Sequence, residues 1–432
     1  MTRRALALIA FVLPSGVAWA AQVTHVATAD SPDWPVEVDL TIGFQGSQES
    51  ANISREEFKP TGGLIQATEM AYTRTTMLMP IRAAVGIWHD LELHVQVPVI
   101  IDDLQRWNFS SVSNASNVTV TRTPGVCPEG PVNSSGNCAN NLPPSPLVNA
   151  LPEQSDRGGF VVGDITLGAA WAALSEKDND TDPTWVIGFD YTAPNASPMD
   201  PTQTSVGPGA PSQVAAIGDK MHHFSPWTAL SKRHGPLDPY IEVYADIPRA
   251  AGGAYDNCNN PYPNSHGEAR VNCNSGPWSQ WQTQIQPVYV GGFWFGSEFI
   301  AFENVEEQQK VSIDLRFITE YHSEARTYTE LSDLLGALTY QQDFARLGAQ
   351  LGLYLRPSKY FEVLLNFGLT HDTDHWLTME NLGQPAAGQS TIQVGSPQQN
   401  PNFDFRFDNP GDRFLLQNSL IASFTGSLMF SF

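Results

Sequence analysis

The chain has 432 residues, a formal net charge of −22 at pH 7 and a hydrophobic fraction of 41%. A charge this negative excludes nucleic acid as a partner, because binding to phosphates requires clustered Lys and Arg side chains. Beyond the first twenty residues the sequence has no run of eighteen apolar residues, so we expect no transmembrane helix.

The start of the chain has the pattern of a secretory signal peptide. Arg3 and Arg4 form a charged beginning, an apolar stretch follows, and Ala18, Trp19 and Ala20 form an A-x-A cleavage site. The apolar stretch is too short to span a bilayer comfortably. We therefore predict a signal peptide over residues 1–20, a periplasmic N-terminal segment over residues 21–35 and a barrel over residues 36–432.

Most of the remaining chain alternates between apolar and polar residues, which is the period of a β-strand with two different faces. Ile241 and Val243, for example, alternate with Glu242 and Tyr244. About twelve such strands can be counted, and most have the nine to eleven residues that a tilted strand needs to cross a bilayer. Pro80 lies inside one of them, where we expect a bulge, because proline cannot donate a backbone hydrogen bond.

The connections between these strands alternate between short turns and long polar loops. The short turns lie near residues 89–90, 175–183, 233–238, 303–309 and 357–359, and the long loops lie near 45–74, 102–159, 194–223, 248–282, 322–339 and 371–412. Short periplasmic turns and long extracellular loops are typical of outer-membrane barrels. We predict an all-β, transmembrane, antiparallel up-and-down β-barrel of about twelve strands, in contact with outer-membrane lipid of a Gram-negative cell.

The chain ends on a strand with an almost wholly apolar face. Phe424, Leu428, Phe430 and Phe432 occupy alternating positions of that face. The pattern resembles the C-terminal strand by which outer-membrane barrels are recognised for assembly. We therefore expect the barrel-assembly machinery to be a partner, through the strand that ends at Phe432.

The four cysteines form two local pairs, and neither pair has the C-x-x-C spacing of a zinc site. An exported chain meets an oxidising compartment, where cysteines form disulfides. We predict the disulfides Cys127–Cys138 and Cys258–Cys273, each within a long outer loop.

Three segments carry a family resemblance. VGIWHDLELHVQVPV at residues 85–99, GDITLGAAWAAL at 163–174 and SKRHGPLDPYIEVYA at 231–245 resemble the outer-membrane barrels associated with meta-pathway phenol degradation. The resemblance covers about four strands and implies passage of hydrophobic or aromatic compounds. It supplies no catalytic residues, and the two loops with cysteines depart from the family pattern.

The polar face of the strands is predicted to line the barrel interior. Its members are Glu37, Asp39, Arg82, Glu92, His94, Asp164, Asp190, Glu242, Tyr244, Asp314, Arg316, Arg346 and Glu362. The excess of carboxylates favours water inside, because unpaired charges are costly in a dry interior. The alternative is a closed barrel whose interior charges pair across strands.

A group of His and Asp residues lies where a late strand ends. His371, Asp374 and His375 have side chains that suit a divalent metal, or that could activate water in a hydrolase. The ordinary interpretation is that a strand becomes polar where it leaves the membrane. No G-x-S-x-G, H-E-x-x-H or glycine-rich phosphate loop occurs, so we expect no enzymatic activity and no cofactor.

These observations favour a passive, porin-like channel for small-molecule solutes, including aromatic or hydrophobic ones. One alternative is a hydrolase or metal site at the barrel rim. Another is a closed structural or adhesive barrel whose loops bind a partner.

Overall fold

A computed structural model describes residues 21–29, 36–59, 61–109, 133–135, 137–138, 141, 154–177, 179–203, 214–259, 272–273 and 276–432. The signal peptide predicted for residues 1–20 lies outside the described residues. The strands are β1 (Val38–Phe58), β2 (Leu64–Trp88), β3 (Leu91–Phe109), β4 (Gln154–Val162), β5 (Ile165–Leu174), β6 (Thr184–Ala193), β7 (Met221–Ser231), β8 (Leu237–Ala250), β9 (Val290–Asn304), β10 (Gln309–His322), β11 (Ala325–Thr327), β12 (Thr339–Gln341), β13 (Phe344–Ser358), β14 (Phe361–Asp372), β15 (His375–Trp376) and β16 (Phe414–Ser431).

Twelve of these strands form one closed antiparallel ring. Its order is β1, β2, β3, β5, β6, β7, β8, β9, β10, β13, β14 and β16, and β16 pairs with β1 to close it. At the seam Asp39 lies opposite Ser431, and Arg55 lies opposite Phe414. β4 and β15 extend the ring at two places, while β11 and β12 form a separate small sheet. The predicted twelve-stranded up-and-down barrel is confirmed.

The two faces of the wall follow the alternation in the sequence. On β10, Ile313, Leu315 and Phe317 point outward with 43%, 48% and 44% of their surface exposed, while Asp314 is buried on the inside. Such an apolar outer band suits lipid. Because the ladder is closed, no strand edge presents unpaired backbone N–H and C=O groups, for which lipid has no hydrogen-bond partners.

The helices are single turns. They are the α-helices Gln280–Thr283 (α1) and Ser332–Leu335 (α2) and the 3-10 helices Gln22–Thr24 and Asn257–Asn259. Among the described residues, no helix has the length and apolarity needed to cross a membrane.

Several strands continue far beyond the bilayer. β1 has 21 residues and β2 has 25, so together they occupy most of the loop predicted near residues 45–74. In the same way β3 continues to Phe109, and β4 occupies the end of the loop predicted near 102–159. For the residues that these strands occupy, the loop predictions were wrong, because a strand in water needs no apolar outer face and its polar sequence therefore resembles a loop.

The barrel has two different ends. We call the end that carries the short connections the turn end, and the opposite end the loop end. The largest apolar core lies at the loop end, where Trp107, Leu331, Leu377 and Phe414 are fully buried. Nε1 of Trp107 donates a hydrogen bond to the backbone oxygen of Glu330 at 2.8 Å. The segments after β10 and after β15 therefore pack over the strand ends and cover the loop end.

A buried ion pair fixes this cover. Nη2 of Arg157 lies 2.7 Å from Oδ1 of Asp333, and Nε lies 3.0 Å from Oδ2. Oγ of Ser155 donates to the same carboxylate at 2.6 Å. Because removal of one partner leaves a buried charge unpaired, this contact ties β4 firmly to α2.

One predicted disulfide is present in the loop between β8 and β9. It joins Cys258 to Cys273, with the two Cα atoms 5.9 Å apart. Cys138 is also disulfide-bonded. Cys127 lies outside the described residues, so the pairing Cys127–Cys138 stays a prediction.

Candidate functional site

The barrel interior contains a chamber of about 620 Å³. Its walls are formed by inward side chains from β1, β2, β3 and β5 to β10, and from β13, β14 and β16. This volume lies within the range of about 300–1,000 Å³ that small-molecule sites commonly have. A second cavity of about 200 Å³ lies nearer the loop end, between Arg74, Gln105 and Tyr328.

One side of the chamber is aromatic. Trp227 on β7 lies opposite Tyr244 on β8, and Trp294 on β9 follows along the same wall. The rings of Tyr244 and Trp294 meet edge to face with centroids 5.4 Å apart. Tyr354 on β13 extends this surface. The chamber therefore offers flat ring surfaces to a ligand.

Glycines in the wall hold these rings against the backbone. A Cβ added to Gly188 would lie 2.1 Å from Cε2 of Trp227, and one added to Gly292 would lie 2.8 Å from the hydroxyl oxygen of Tyr244. The rings thus occupy the space that a side chain on these glycines would fill. Since they lie along the wall instead of across the interior, the chamber stays open.

A chain of charged groups continues the wall beside the aromatic side. Arg82 pairs with Glu92, and Nδ1 of His94 lies 2.9 Å from the same carboxylate. Nε2 of His94 lies 2.7 Å from Oδ1 of Asp190, and Nε1 of Trp227 donates to Oδ2 of Asp190 at 3.1 Å. Each carboxylate in this chain therefore has partners.

A second polar group stands beside the aromatic wall. Nε of Arg316 donates to Asp314 at 2.9 Å, and Nη2 donates to the hydroxyl of Tyr354 at 2.9 Å. Tyr240 also donates to Asp314, at 2.7 Å. The guanidinium carbon of Arg316 lies 5.5 Å from the ring centroid of Trp294, a cation–π distance.

Glu242 differs from these carboxylates. It lines the chamber, directly opposite Trp294 in the ladder between β8 and β9. Within the part of the chain that the structure describes, its side chain forms no hydrogen bond and no ion pair. Its charge is therefore left to water or to a ligand.

The turn end of the chamber is closed by residues 21–29. The backbone N–H of Gln22 donates to Oε2 of Glu298 at 2.9 Å, and that of Ala27 donates to Oε2 of Glu92 at 2.9 Å. Ala21 and Ala27 are completely buried. This part of the segment predicted to be periplasmic lies inside the barrel mouth.

A histidine anchors the middle of this segment. Nε2 of His25 lies 3.2 Å from Oδ2 of Asp39, whose other oxygen accepts a hydrogen bond from Ser431 at 2.6 Å. Burial lowers the pKa of His25, but the hydrogen bond and charge of Asp39 outweigh it, so the pKa is raised above 6.5. The segment is thus held by a charged contact to the seam.

The residues predicted to line the interior separate into three levels. The first level surrounds the N-terminal segment and contains Glu37, Asp39, Glu92 and Glu362. The second level is the chamber, with Arg82, His94, Asp190, Glu242, Tyr244, Arg316 and Asp314. The third level lies nearer the loop end and contains Asp164 and Arg346. Asp164 accepts a hydrogen bond from the backbone of Ala196 at 2.7 Å, and Arg346 pairs with Asp372 at 2.6 Å. That these residues line a conduction path stays a prediction.

The three residues predicted to bind a metal are not brought together. His371 is exposed and Nδ1 donates to the backbone oxygen of Ser419 at 2.6 Å, whereas His375 is buried and stacks on Phe344 with centroids 4.2 Å apart. Asp374 is exposed and accepts a backbone hydrogen bond at 3.2 Å.

A different group has spacing compatible with a metal. In the described ranges it consists of His25, Glu37 and Asp39, whose ligand atoms lie within 4.8 Å of one another. Each of these side chains already has a hydrogen-bond partner in the docked N-terminal segment or the seam.

Sequence reasoning assigned Tyr244 to the interior but missed the two tryptophans of the aromatic wall. Trp227 and Trp294 stand on strands whose inward face had not been assigned. The available signal was Gly292, Trp294 and Gly296 at alternating positions of β9, which places a large ring between two residues without side chains. The position of residues 21–29 inside the barrel had no comparable signal.

No protein-family model and no curated protein matches the chain. Solved structures with a similar fold include an outer-membrane channel from Pseudomonas putida F1, with 11% identity, coverage of 91% of this chain and 95% of that chain, and a TM-score of 0.40. A Pseudomonas aeruginosa FadL homologue has 9% identity, coverage of 91% and 90%, and a TM-score of 0.35.

The outer-membrane protease OmpT from Escherichia coli is also among the similar structures. It has 6% identity, coverage of 92% of this chain and 96% of that chain, and a TM-score of 0.28. The expectation that the chain has no enzymatic activity is therefore corrected, because barrels similar to this one include a protease. The strand ladder of this chain itself closes into a twelve-stranded antiparallel β-barrel.

Proposed function

We propose that this protein is an outer-membrane channel through which small aromatic or hydrophobic solutes pass. The observation that carries this proposal is the chamber of about 620 Å³, whose wall combines aromatic rings with hydrogen-bonding groups. A closed structural barrel would gain nothing from glycines that keep its interior rings against the wall.

The chamber suits a small ring that carries a polar group. The indole rings of Trp227 and Trp294 provide stacking surfaces, and aromatic pairs gain about 0.5–1.5 kcal/mol beyond area burial. Gln96, Asn366 and Arg82 provide donors and acceptors on the other walls. The meta-pathway phenol degradation barrels that the sequence resembles imply the same class of solute.

The N-terminal segment is the gate of this channel. Residues 21–29 close the turn end through hydrogen bonds to the wall from Gln22, Thr24, His25, Ala27 and Thr28, and no cysteine in this segment could fix it there by a disulfide. Contacts of this kind allow release on the timescale of segment motion, from microseconds upward. A solute in the chamber leaves towards the periplasm when the segment undocks.

The route by which the protein reaches the outer membrane is also part of the proposal. The signal peptide over residues 1–20 directs export across the inner membrane of a Gram-negative cell. The strand that ends at Phe432 is the part that the barrel-assembly machinery recognises, and outer-membrane lipid surrounds the apolar outer band. The export signal and the assembly signal are inferred from the sequence patterns at the two ends of the chain.

The proposal is tested by block of ion current in a planar bilayer. Benzyl alcohol should reduce the current of the wild-type protein in a saturable way, because it occupies the chamber. The double variant Trp227→Ala, Trp294→Ala should need about tenfold more benzyl alcohol for half block. Trp281→Ala is the matched control, since that ring is 68% exposed outside the barrel.

Two results would contradict the proposal. The first is a protein that carries no current under any condition while its barrel is folded. The second is a block that is equally strong in the wild type and in the double variant, which would place the solute outside the chamber.

A further inference from the structure

We propose that the chamber selects organic cations: solutes with a protonated amine on an aromatic body, whose ammonium group binds the carboxylate of Glu242. This inference rests on the proposed function and names the solutes that the channel favours. It is carried by the position of one carboxylate among aromatic rings and by the pairing of the charges around it.

Two tryptophans are neighbours of Glu242 in the wall of the chamber. Glu242 lies directly opposite Trp294 on one side and Ala229 on the other. Directly opposed residues in an antiparallel ladder have Cβ atoms about 4.5–5.5 Å apart. Trp227 lies two residues before Ala229 on the same face of β7 and lines the same chamber. A ligand at Glu242 therefore contacts ring surfaces as well as the charge.

The remaining charges of the chamber are already balanced. Arg82 pairs with Glu92, His94 with Asp190, and Arg316 with Asp314. Among the described residues that line the chamber, Glu242 is left as the unpaired charge, and its sign is negative. In an interior of low dielectric such a charge attracts a cation more strongly than it would in water.

The rings decide which cation is favoured. An ammonium group over an indole face is attracted by the ring quadrupole, and an aromatic body gains stacking in addition. A hydrated inorganic ion gains neither, because its water shell separates it from the rings. A solute with a carboxylate is repelled by Glu242 and is the least favoured.

The overall charge supports the same preference. The chain carries a formal net charge of −22, and an acidic surface raises the local concentration of cations around the protein. Glu242 then acts as the specificity-determining group inside, while the acidic surroundings increase the encounter rate.

The test is calorimetric titration of the purified full-length barrel in detergent with three probes of equal size. These are benzylammonium, benzyl alcohol and benzoate. We expect benzylammonium to bind at least tenfold more tightly than benzyl alcohol, and benzoate to bind most weakly. In Glu242→Gln the preference for benzylammonium should disappear, while the affinity for benzyl alcohol stays within about twofold.

Glu306→Gln is the matched control, because Glu306 is an exposed carboxylate in a turn outside the chamber. It should retain the preference of the wild type. Each variant is checked by its migration on gels before and after boiling, which reports the folded barrel. If Glu242→Gln does not fold, two measurements on the wild type test the inference. The first is the order of the affinities for the three probes, and the second is competition by tetramethylammonium.

Equal binding of benzylammonium and benzyl alcohol to the wild type would overturn the inference and leave the proposed channel intact. An unchanged preference in Glu242→Gln would overturn it in the same way. The proposed channel itself fails on different evidence, namely the absence of current or of a block that depends on Trp227 and Trp294.

Discussion

The indole ring of Trp227 lies against the backbone of Gly188, at a distance that leaves no space for a Cβ atom on the glycine. An added Cβ would be 2.1 Å from Cε2 of the ring. Gly188 and Trp227 are also direct neighbours in the ladder between β6 and β7. The chamber therefore depends on a glycine that permits a large ring to lie along the wall.

Gly188→Ala should push the Trp227 ring into the chamber. We expect a lower single-channel conductance and a loss of about 1–3 kcal/mol in the free energy of unfolding, as overpacking usually causes. Gly291→Ala is the control, since a Cβ there meets no atom within 4 Å. Conductance that falls equally in both variants would show that the ring position does not limit the passage.

Release of the N-terminal segment should depend on pH through His25. The raised pKa of His25 means that protonation favours the docked segment, in which Asp39 and Glu37 face the ring and Arg356 opposes them. This contribution is complete below about pH 6.5, the ordinary value, and is lost as the pH rises through the raised pKa. Hydrogen exchange of the Ala27 amide should therefore become faster at alkaline pH.

His25→Gln should remove this pH dependence, whereas His234→Gln, at an exposed histidine in a turn, should preserve it. Amide exchange has an intrinsic pH dependence, which is subtracted first. If the remaining pH dependence is the same in the wild type and in both variants, the role of His25 is refuted.

The cleaved N-terminus should add a second anchor. Asp238 is completely buried, and neither carboxylate oxygen has a hydrogen-bond partner among the described residues. It lies opposite Glu298, which binds the backbone of Gln22. Glu298 is already paired with Lys310. Cleavage after Ala20 would leave an ammonium group on Ala21, next to the residue whose backbone binds Glu298, and we expect Asp238 to be its partner.

We therefore expect that acetylation of the mature N-terminus and Asp238→Asn each loosen residues 21–29, measured by hydrogen exchange. Because both changes would remove the contact that we expect between the N-terminus and Asp238, their combination should be little worse than either alone. Additive effects would mean that the N-terminus and Asp238 act independently.

The wall of the barrel could be predicted from the sequence because lipid imposes strict rules. Each crossing strand needs an apolar outer face, so alternation such as Ile313, Asp314 and Leu315 indicates both the strand and the face that points outward. Pro80 was expected at a bulge, and the ladder between β2 and β3 shifts register between Met77 and Leu78. Pro80 lies opposite Pro98, so two residues that cannot donate face each other.

The parts outside the lipid followed no such rule. The extended hairpin of β1 and β2 is polar on the outside, so its sequence resembled a loop. The docking of residues 21–29 depends on contacts to Glu92 and Glu298, which are distant in the sequence. The metal prediction at His371 and His375 relied on proximity in sequence, whereas the two side chains point to opposite faces of the wall.

Closure of the barrel should depend on the last residue. The backbone N–H of Phe432 donates to Val38 at 2.9 Å, and its oxygen accepts from Val38 at 3.1 Å. Deletion of Phe432 removes this pair and the aromatic ring that the assembly machinery is expected to recognise. We expect a strong loss of folded protein in the outer membrane, measured as heat-modifiable protein. Deletion of Gln389, in an exposed loop, should have little effect, and equal losses would contradict the role of the terminal residue.

The most direct test of a gated channel compares the single-channel conductance of the wild-type protein with that of a variant lacking residues 21–29. Both proteins are first shown to be folded by their migration before and after boiling. We predict a severalfold larger conductance for the shortened protein, because the segment fills the turn end of the chamber. Equal conductance of the two folded proteins would contradict the conclusion that residues 21–29 close the passage.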